Sequence, residues 1–326
     1  MTPWRKAPRW GAPRASRQKP AVQAPREAPR QRAPRQPVPQ QQAPRQQVSQ
    51  QPVAHQSVAQ QPVAQQSVAQ RAALQRKSTA PGPGTGLRDP SLRRSLALFR
   101  AFRHEQDDPE ACYSLLARDA VDQVEAYDGP VKGRTVVDVG GGGGYFTQEF
   151  QKRGAHGYLF EPDMRELGPK PPEGSVVADG YLLPLADGVA DVCFSSNVLE
   201  HVADPQTFLS EMVRVTRPGG LIYVSFTNWL SPWGGHEWAP WHYLGAERAR
   251  ARYRRRTGRP AKHTLGENLF AVHIGPTLRQ VRARDDVTVV SARSRYWPFL
   301  AQAVTRAPGL REFATWNLLL ILRRCP

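Results

Sequence analysis

The chain has 326 residues, with 45 Lys or Arg against 28 Asp or Glu, and a formal net charge of +17. Its cysteines, Cys112, Cys193 and Cys325, show no CxxC spacing, which argues against a disulfide framework and a cysteine zinc site and favours a reducing compartment. No apolar run is long enough to span a membrane and the start lacks the apolar core of a signal peptide, so we expect a cytoplasmic protein.

Residues 1–88 form a basic segment rich in Pro, Gln, Ala and Arg, which we predict to be disordered. The triplet APR recurs, and QPVAHQSVAQ is followed directly by QPVAQQSVAQ. Such a composition buries too little apolar surface to offset the entropy of ordering. Two interpretations are open: a cationic tether for a polyanion or an anionic lipid, or a solvated segment that binds nothing. The absence of aromatic residues interleaved for base stacking argues against nucleic acid as a partner.

The folded domain is expected to span residues 89–326 and to begin with two helices. Leu92, Leu96 and Phe99 recur at helical intervals, and Asp108 followed by Pro109 is typical of a helix N-terminus. Strands and helices then alternate. The strands are expected in RTVVDVG, HGYLFEP, GSVVADG, VADVCFSSN and LIYVSFTN, and the helix before the last of these is expected to stop at Pro218-Gly219.

This alternation predicts an α/β fold, with helices on both faces of a mostly parallel sheet. Two further apolar segments, DVTVVSARSRYWP and TWNLLLILRR, follow with no obvious long helix between them. Antiparallel strands can be joined without a crossover helix. We therefore expect the last strand of the sheet to be antiparallel.

Five consecutive glycines, residues 140–144, follow the first predicted strand. A glycine-rich turn between a strand and its helix is where such a sheet binds a nucleotide-like ligand. The dinucleotide pattern GxGxxG fails, because Tyr145 or Phe146 stands where the third glycine is needed. No Lys follows, so the P-loop pattern fails as well.

The spacing Asp138-x-Gly140-x-Gly142-x-Gly144 resembles motif I of the class I S-adenosylmethionine-dependent methyltransferases, in particular the type 11-like small-molecule enzymes. YLFEP, VVADGYLLPLADGVADVCFSS, NVLEHVADP and RPGGLIYVS are similar to the next family segments, in the same order. The resemblance implies a Rossmann-like methyltransferase sheet and S-adenosyl-L-methionine as cofactor. It also implies these cofactor-binding residues: Asp138, Gly140, Gly142, Gly144, Tyr145, Glu161, Asp179, Gly180 and Asn197.

On this resemblance, Asp138 lies near the methionine moiety, Glu161 accepts both ribose hydroxyls, and Asp179 accepts from the adenine amine. Ser195, Ser196 and Asn197 replace the Asn-Pro-Pro-Tyr type of motif. This argues against methylation of the amino groups of bases or of protein glutamine.

An insertion at about residues 229–275 is expected to cap the substrate crevice, because it follows the fifth strand at the carboxyl edge of the sheet. Its four tryptophans are compatible with a stacking platform, a peripheral membrane contact or a small satellite core. Its arginine run, RARARYRRRTGR, reads as a helix that is either solvated or recognises an anion.

Histidines are the candidate catalytic bases. His201, just past the fourth strand, comes first, followed by His236 and His242 from the insertion. No metal is expected, because His236 and His242 are six residues apart with Pro240 between them, which breaks the zincin pattern.

The sequence thus predicts methyl transfer, with oxygen of a small-molecule or lipid-linked acceptor, such as a saccharide or secondary metabolite, as the expected target. Two alternatives are open. The first is an RNA or protein methyltransferase that holds a polyanion with its arginines. The second is a non-catalytic protein that keeps the cofactor site.

Overall fold

The computed structural model describes residues 92–104, 108–168 and 170–326, without the side chains of residues 299–301. The segment expected to be a disordered tail lies outside the described residues. Two helices come first, α1 (Leu92–Arg103) and α2 (Pro109–Asp128). The Asp108 side chain accepts a hydrogen bond from the Ala111 N–H, so the predicted N-cap of α2 is confirmed.

A seven-stranded sheet forms the centre of the domain, with the order β3-β2-β1-β4-β5-β7-β6. Its strands are β1 (Thr135–Val139), β2 (His156–Glu161), β3 (Ser175–Val177), β4 (Ala190–Ser196), β5 (Thr216–Thr227), β6 (Val287–Ser294) and β7 (Asn317–Arg324). The first five strands pair in parallel, and β7 lies antiparallel between β5 and β6. The predicted α/β sheet with an antiparallel last strand is confirmed.

Helices cover both faces of the sheet because alternate strand residues point to opposite sides. Val136 and Phe194 pack with α1, α2 and α3 (Tyr145–Lys152) in one buried cluster. Val137 and Cys193 pack on the other face with α4 (Pro205–Val215) and α6 (Ile274–Arg282). The strands are therefore apolar on both sides, as expected of a mostly parallel sheet.

The insertion contributes α5 (Ala246–Thr257) and two short 3₁₀ helices, His236–Trp238 and Trp241–Leu244. Between β6 and β7 the chain forms only the 3₁₀ helix Phe299–Arg306 and α7 (Leu310–Ala314). None of the described helices is long and apolar enough to cross a bilayer.

The end of α4 differs from the expectation. The helix ends at Val215, and β5 begins at Thr216, before Pro218 and Gly219. Thr216 has extended backbone, and its hydroxyl donates to the Met212 carbonyl oxygen at 2.7 Å. The Thr216 backbone N–H donates to the same carbonyl oxygen, so Thr216 closes the last turn of the helix before the proline is reached.

Phe194 provides a test of the core. Its fully buried ring stacks on Tyr223 at 4.5 Å between centroids and lies 5.1 Å from Phe146. We expect Phe194→Ala to lower the free energy of unfolding by about 3–5 kcal/mol, because it leaves a cavity between sheet and helices. Urea denaturation measures this loss.

The matched control is Phe313→Ala, since Phe313 is 55% exposed. It should cost less than about 1 kcal/mol. Equal losses in the two variants would contradict this description of the core.

Candidate active site

The carboxyl ends of β1, β2 and β4 meet at one edge of the sheet. Asp138 lies near the end of β1, Glu161 ends β2, and Asn197 follows β4. The chain order reverses at β1, which pairs with β2 on one side and β4 on the other. In open α/β sheets, ligands bind in the crevice at such a switch point.

The glycine loop borders this crevice with bare backbone. Gly142 has a φ of 51°, and a Cβ added there would meet no atom within 4 Å. Its N–H donates to Glu161 Oε2 at 3.0 Å, which ties the loop to the end of β2. At Gly140, by contrast, a Cβ would lie 2.7 Å from a methyl carbon of Val198. Gly142 therefore leaves room for a ligand, whereas Gly140 is required by packing.

Asp138 is a buried carboxyl group with one free oxygen. Its Oδ2 accepts from the Thr147 hydroxyl at 2.7 Å, while the buried Oδ1 has no hydrogen-bond partner among the described residues. Burial is the main cause that raises the pKa of Asp138 to about 7, and the charge of Glu161 adds to it. An orphaned buried carboxylate oxygen fits a cationic group such as the ammonium of a methionine moiety.

Glu161 is held at the mouth of the crevice by backbone donors. Its Oε1 accepts from the Asp163 N–H at 3.1 Å, in addition to the Gly142 contact on Oε2. Burial raises its pKa above the ordinary value, although both backbone hydrogen bonds oppose this. Each oxygen keeps a further lone pair, so the fixed carboxylate can accept from the two hydroxyls of a ribose.

The remaining predicted cofactor residues lie on the loops around the same edge. Asp179 is exposed, and its Oδ1 accepts from the Tyr181 N–H at 2.9 Å. A Cβ on Gly180 would lie 2.6 Å from the Phe208 ring, so only glycine fits there. Tyr145 starts α3 and stacks on Tyr113 at 5.5 Å.

Asn197 belongs to a buried polar cluster that the sequence did not reveal. Its φ is 59°, and its Oδ1 accepts from Asn317 Nδ2 at 2.9 Å. Arg295, only 1% exposed, donates from Nη1 to Ser196 Oγ at 2.7 Å and to Ser225 Oγ at 2.9 Å. No sequence signal pointed to Arg295, because it lies 99 residues after Ser196 and is brought there by the sheet.

Two of the three candidate bases lie together. The rings of His201 and His236 are 5.0 Å apart, and His263, which the sequence analysis did not select, lies 5.2 and 4.7 Å from them. The sequence feature that could have pointed to His263 is that it is the third histidine of the insertion. Burial, and then the two neighbouring imidazoles, lower the pKa of His236 to about 3, so that ring is neutral at neutral pH.

His242 is separate from this cluster. Its Nε2 lies 3.0 Å from the Trp229 carbonyl oxygen, and its ring packs on Trp229 and Tyr243. Burial lowers its pKa as well. The structure therefore places His242 in the packing of the insertion, apart from the other two candidates.

The four tryptophans of the insertion lie in different surroundings. Trp238 is buried, with Trp229 packed beside it, in a small satellite cluster with Ala249 and Leu269. Trp233 lies 4.2 Å from the Trp316 ring, between centroids. Trp241 is partly exposed under the Arg252 guanidinium. The satellite-core interpretation thus holds for Trp238, and Trp233 belongs to another surface.

Comparisons with known proteins identify the class of protein that this site defines. The family model described as "Methyltransferase domain" matches residues 137–224. An uncharacterized methyltransferase of Mycolicibacterium gilvum (strain PYR-GCK) is 48% identical over 244 residues, which are 72% of this chain and 95% of that protein. An uncharacterized methyltransferase of Mycobacteroides abscessus is 44% identical over 247 residues, which are 72% of this chain and 95% of that protein.

Among solved structures, an S-adenosylmethionine-dependent methyltransferase from Mesorhizobium loti is 23% identical and has a TM-score of 0.41, with 60% of this chain and 93% of that chain covered. The family model and the mycobacterial relatives show that the protein is a methyltransferase, and its sheet and glycine-loop site are those of the class I S-adenosylmethionine-dependent enzymes. Within that class, the chain belongs to the family of these mycobacterial methyltransferases. The roles of individual cofactor residues stay predictions, which two substitutions test.

The first substitution is Gly142→Ala. The added methyl group would point into the open space where the cofactor is expected, so we expect at least a tenfold loss of S-adenosylmethionine affinity in calorimetric titration. Gly133→Ala is the matched control, because Gly133 also has a positive φ, 73°, and open space around its Cβ, but lies before β1. Both variants should lose similar stability. An equal loss of affinity in both would contradict the placement of the loop.

The second substitution is Asp138→Asn. The folded chain keeps a proton on Asp138 up to about pH 7, whereas an unfolded chain releases it near pH 4. Stability of the free protein therefore falls as pH rises through this window. The asparagine variant cannot ionise, so at pH 8 it should melt at a higher temperature than the unsubstituted protein and bind the cofactor more weakly. A lower melting temperature with unchanged cofactor affinity would contradict this role.

Proposed function

We propose that the protein transfers the methyl group of S-adenosylmethionine to an oxygen of a small or lipid-linked acceptor, and that an apolar part of the acceptor occupies a cavity beside the crevice. The observation that carries this proposal is an apolar cavity of about 220 Å³. It is lined by Leu92, Ser95, Leu96, Phe99, Phe102, Tyr296, Trp297, Pro298 and Trp316.

The cavity explains the apolar stripe of α1. Leu92 and Leu96, whose spacing predicted the helix, are 62% and 45% exposed. Leu98, on the other side of the helix, is the residue that the core buries. Exposed leucines beside aromatic rings are typical of a binding surface.

Aromatic rings from α1 and from the segments around β6 and β7 line the rest of the cavity. Phe99 lies 5.7 Å from Trp316, and Trp297 lies 5.4 Å from the same ring. Trp233 joins them from the insertion. Flat rings of this kind cover an acyl chain, an aromatic ring or the CH face of a sugar at little entropic cost.

The cavity adjoins the carboxyl edge of the sheet. Tyr296 lines it, and the preceding residue, Arg295, contacts Ser196 and Asn197 at the end of β4. An acceptor bound by its apolar part would therefore have its polar end near the crevice in which the cofactor is expected.

The chemistry then needs alignment and a proton acceptor. The cofactor supplies a methyl group on a positively charged sulfur. The acceptor oxygen forms a bond to the methyl carbon while the carbon–sulfur bond breaks. The electron pair of the broken carbon–sulfur bond stays on sulfur. The oxygen loses its proton to a nearby base, for which His201 and His236 are the candidates.

The test uses radiolabelled methyl transfer to octyl and phenyl glucosides, with glucose, RNA and protein as competing acceptor classes. We expect transfer to the alkyl or aryl glucoside with little dependence on salt. Transfer only to RNA, or only to a protein acceptor in a reaction that needs the basic segment 1–88, would contradict the proposal. If the rate of that transfer also fell steeply with salt, the result would favour the polyanion alternative.

Trp316→Ala should raise the KM for that acceptor about tenfold or more, because about 1.4 kcal/mol of lost apolar contact changes affinity tenfold. The KM for the cofactor should not change. Trp241→Ala, at a partly exposed tryptophan that does not line the cavity, is the matched control and should leave both constants unaltered. Equal effects of the two substitutions would overturn the cavity assignment.

A further inference from the structure

Three imidazoles converge from three separate segments of the chain. His201 ends the 3₁₀ helix Leu199–His201 after β4, His236 begins a 3₁₀ helix of the insertion, and His263 follows α5. One ring nitrogen from each lies within 4.8 Å of the others. A Zn²⁺ ion bound by three imidazole nitrogens lies about 2.0–2.1 Å from each of them, so the rings would have to move closer together around it.

Hydrogen bonds on the outer nitrogens orient two of the rings. His201 Nδ1 lies 2.7 Å from the Asn268 carbonyl oxygen, and His263 Nδ1 lies 2.6 Å from Glu237 Oε2. A carbonyl oxygen and a carboxylate can only accept, so each Nδ1 carries the proton. In a neutral ring with this tautomer, the lone pair that can bind a metal ion is on Nε2. Metal-binding histidines in proteins are usually oriented by outer partners of this kind.

Glu237 is itself fixed, because its Oε1 accepts from the His263 backbone N–H at 2.8 Å. The carboxylate thus orients both the backbone and the ring of His263. Glu237 also links the two insertion histidines, since it directly follows His236.

The backbone conformation at His236 supports a functional role for its ring. Its φ is 49°, in the left-handed region that non-glycine residues rarely adopt. Such conformations cluster at functional sites, where surrounding contacts hold them. The preceding turn is tightly packed, since a Cβ on Gly235 would lie 2.7 Å from the Cβ of His242.

We propose that His201, His236 and His263 bind one divalent transition-metal ion, Zn²⁺ by preference, with Glu237 as the outer carboxylate that orients His263. Three neutral imidazoles with an open fourth position are the ligand set of catalytic zinc sites. The sequence had argued against a metal only through His236 and His242. In the structure, His236 lies beside His201 and His263 and not beside His242.

With the ion bound, His201 and His236 would act as ligands, and this route would replace the base role given to them above. The open position would accept the acceptor's hydroxyl oxygen and lower its pKa, so that the proton leaves to solvent before methyl transfer. This role rests on the proposed O-methylation, whereas the binding of the ion does not. Metal binding is therefore measured without any acceptor, so that failure of one proposal is distinguishable from failure of the other.

The experiment titrates the untagged, metal-stripped full chain with Co²⁺, followed by visible absorption, and measures Zn²⁺ content by mass spectrometry. We expect one ion per chain and the intense bands of four-coordinate Co²⁺. His236→Ala and His263→Ala should weaken binding at least 100-fold, and Glu237→Gln about 10–100-fold. His156→Ala, at an exposed histidine on β2, is the matched control and should bind like the unsubstituted protein.

Calorimetric binding of S-adenosylmethionine verifies that each variant is folded. Should a histidine variant fail to fold, the Co²⁺ spectrum of the unsubstituted protein decides on its own. No saturable binding by that protein, a six-coordinate spectrum, or equal binding by folded His236→Ala and His263→Ala variants would overturn the proposal.

Discussion

The pairing of β1 with β2 on one side and with β4 on the other is the constraint on which the site depends. Parallel pairing brings the ends of these strands to the same edge, and the change of direction at β1 opens a crevice there. This register places Asp138, Glu161 and Asn197 at the same edge of the sheet. The glycine loop can then approach a ligand with backbone alone, since it is tied to Glu161 through the Gly142 N–H.

The place of the proposed cofactor residues in the fold could be predicted from the sequence, because the signals for it are local. Asp138, Glu161 and Asn197 each stand at the end of an apolar run, and the glycines directly follow the first of these runs. Alternation of strands with helices fixed the parallel part of the sheet. The same reasoning placed β7 antiparallel, since no long helix separates it from β6.

The acceptor side could not be predicted in the same way, because long-range packing determines it. The leucines of α1 have helical spacing, but the sequence does not state whether a helix stripe faces the core or an open cavity. His263 lies 62 residues from His201, and only the fold of the insertion brings the rings within 5.2 Å. Arg295 reaches Ser196 through the order of the sheet, which no local pattern records.

The most direct test of the central claim is calorimetric titration of the protein with S-adenosylmethionine, together with Glu161→Ala and the exposed-site control Glu173→Ala. The account predicts micromolar binding that Glu161→Ala weakens at least tenfold and Glu173→Ala leaves unchanged. Absence of binding by the folded protein, or equal binding by all three, would contradict a cofactor site at the ends of β1, β2 and β4.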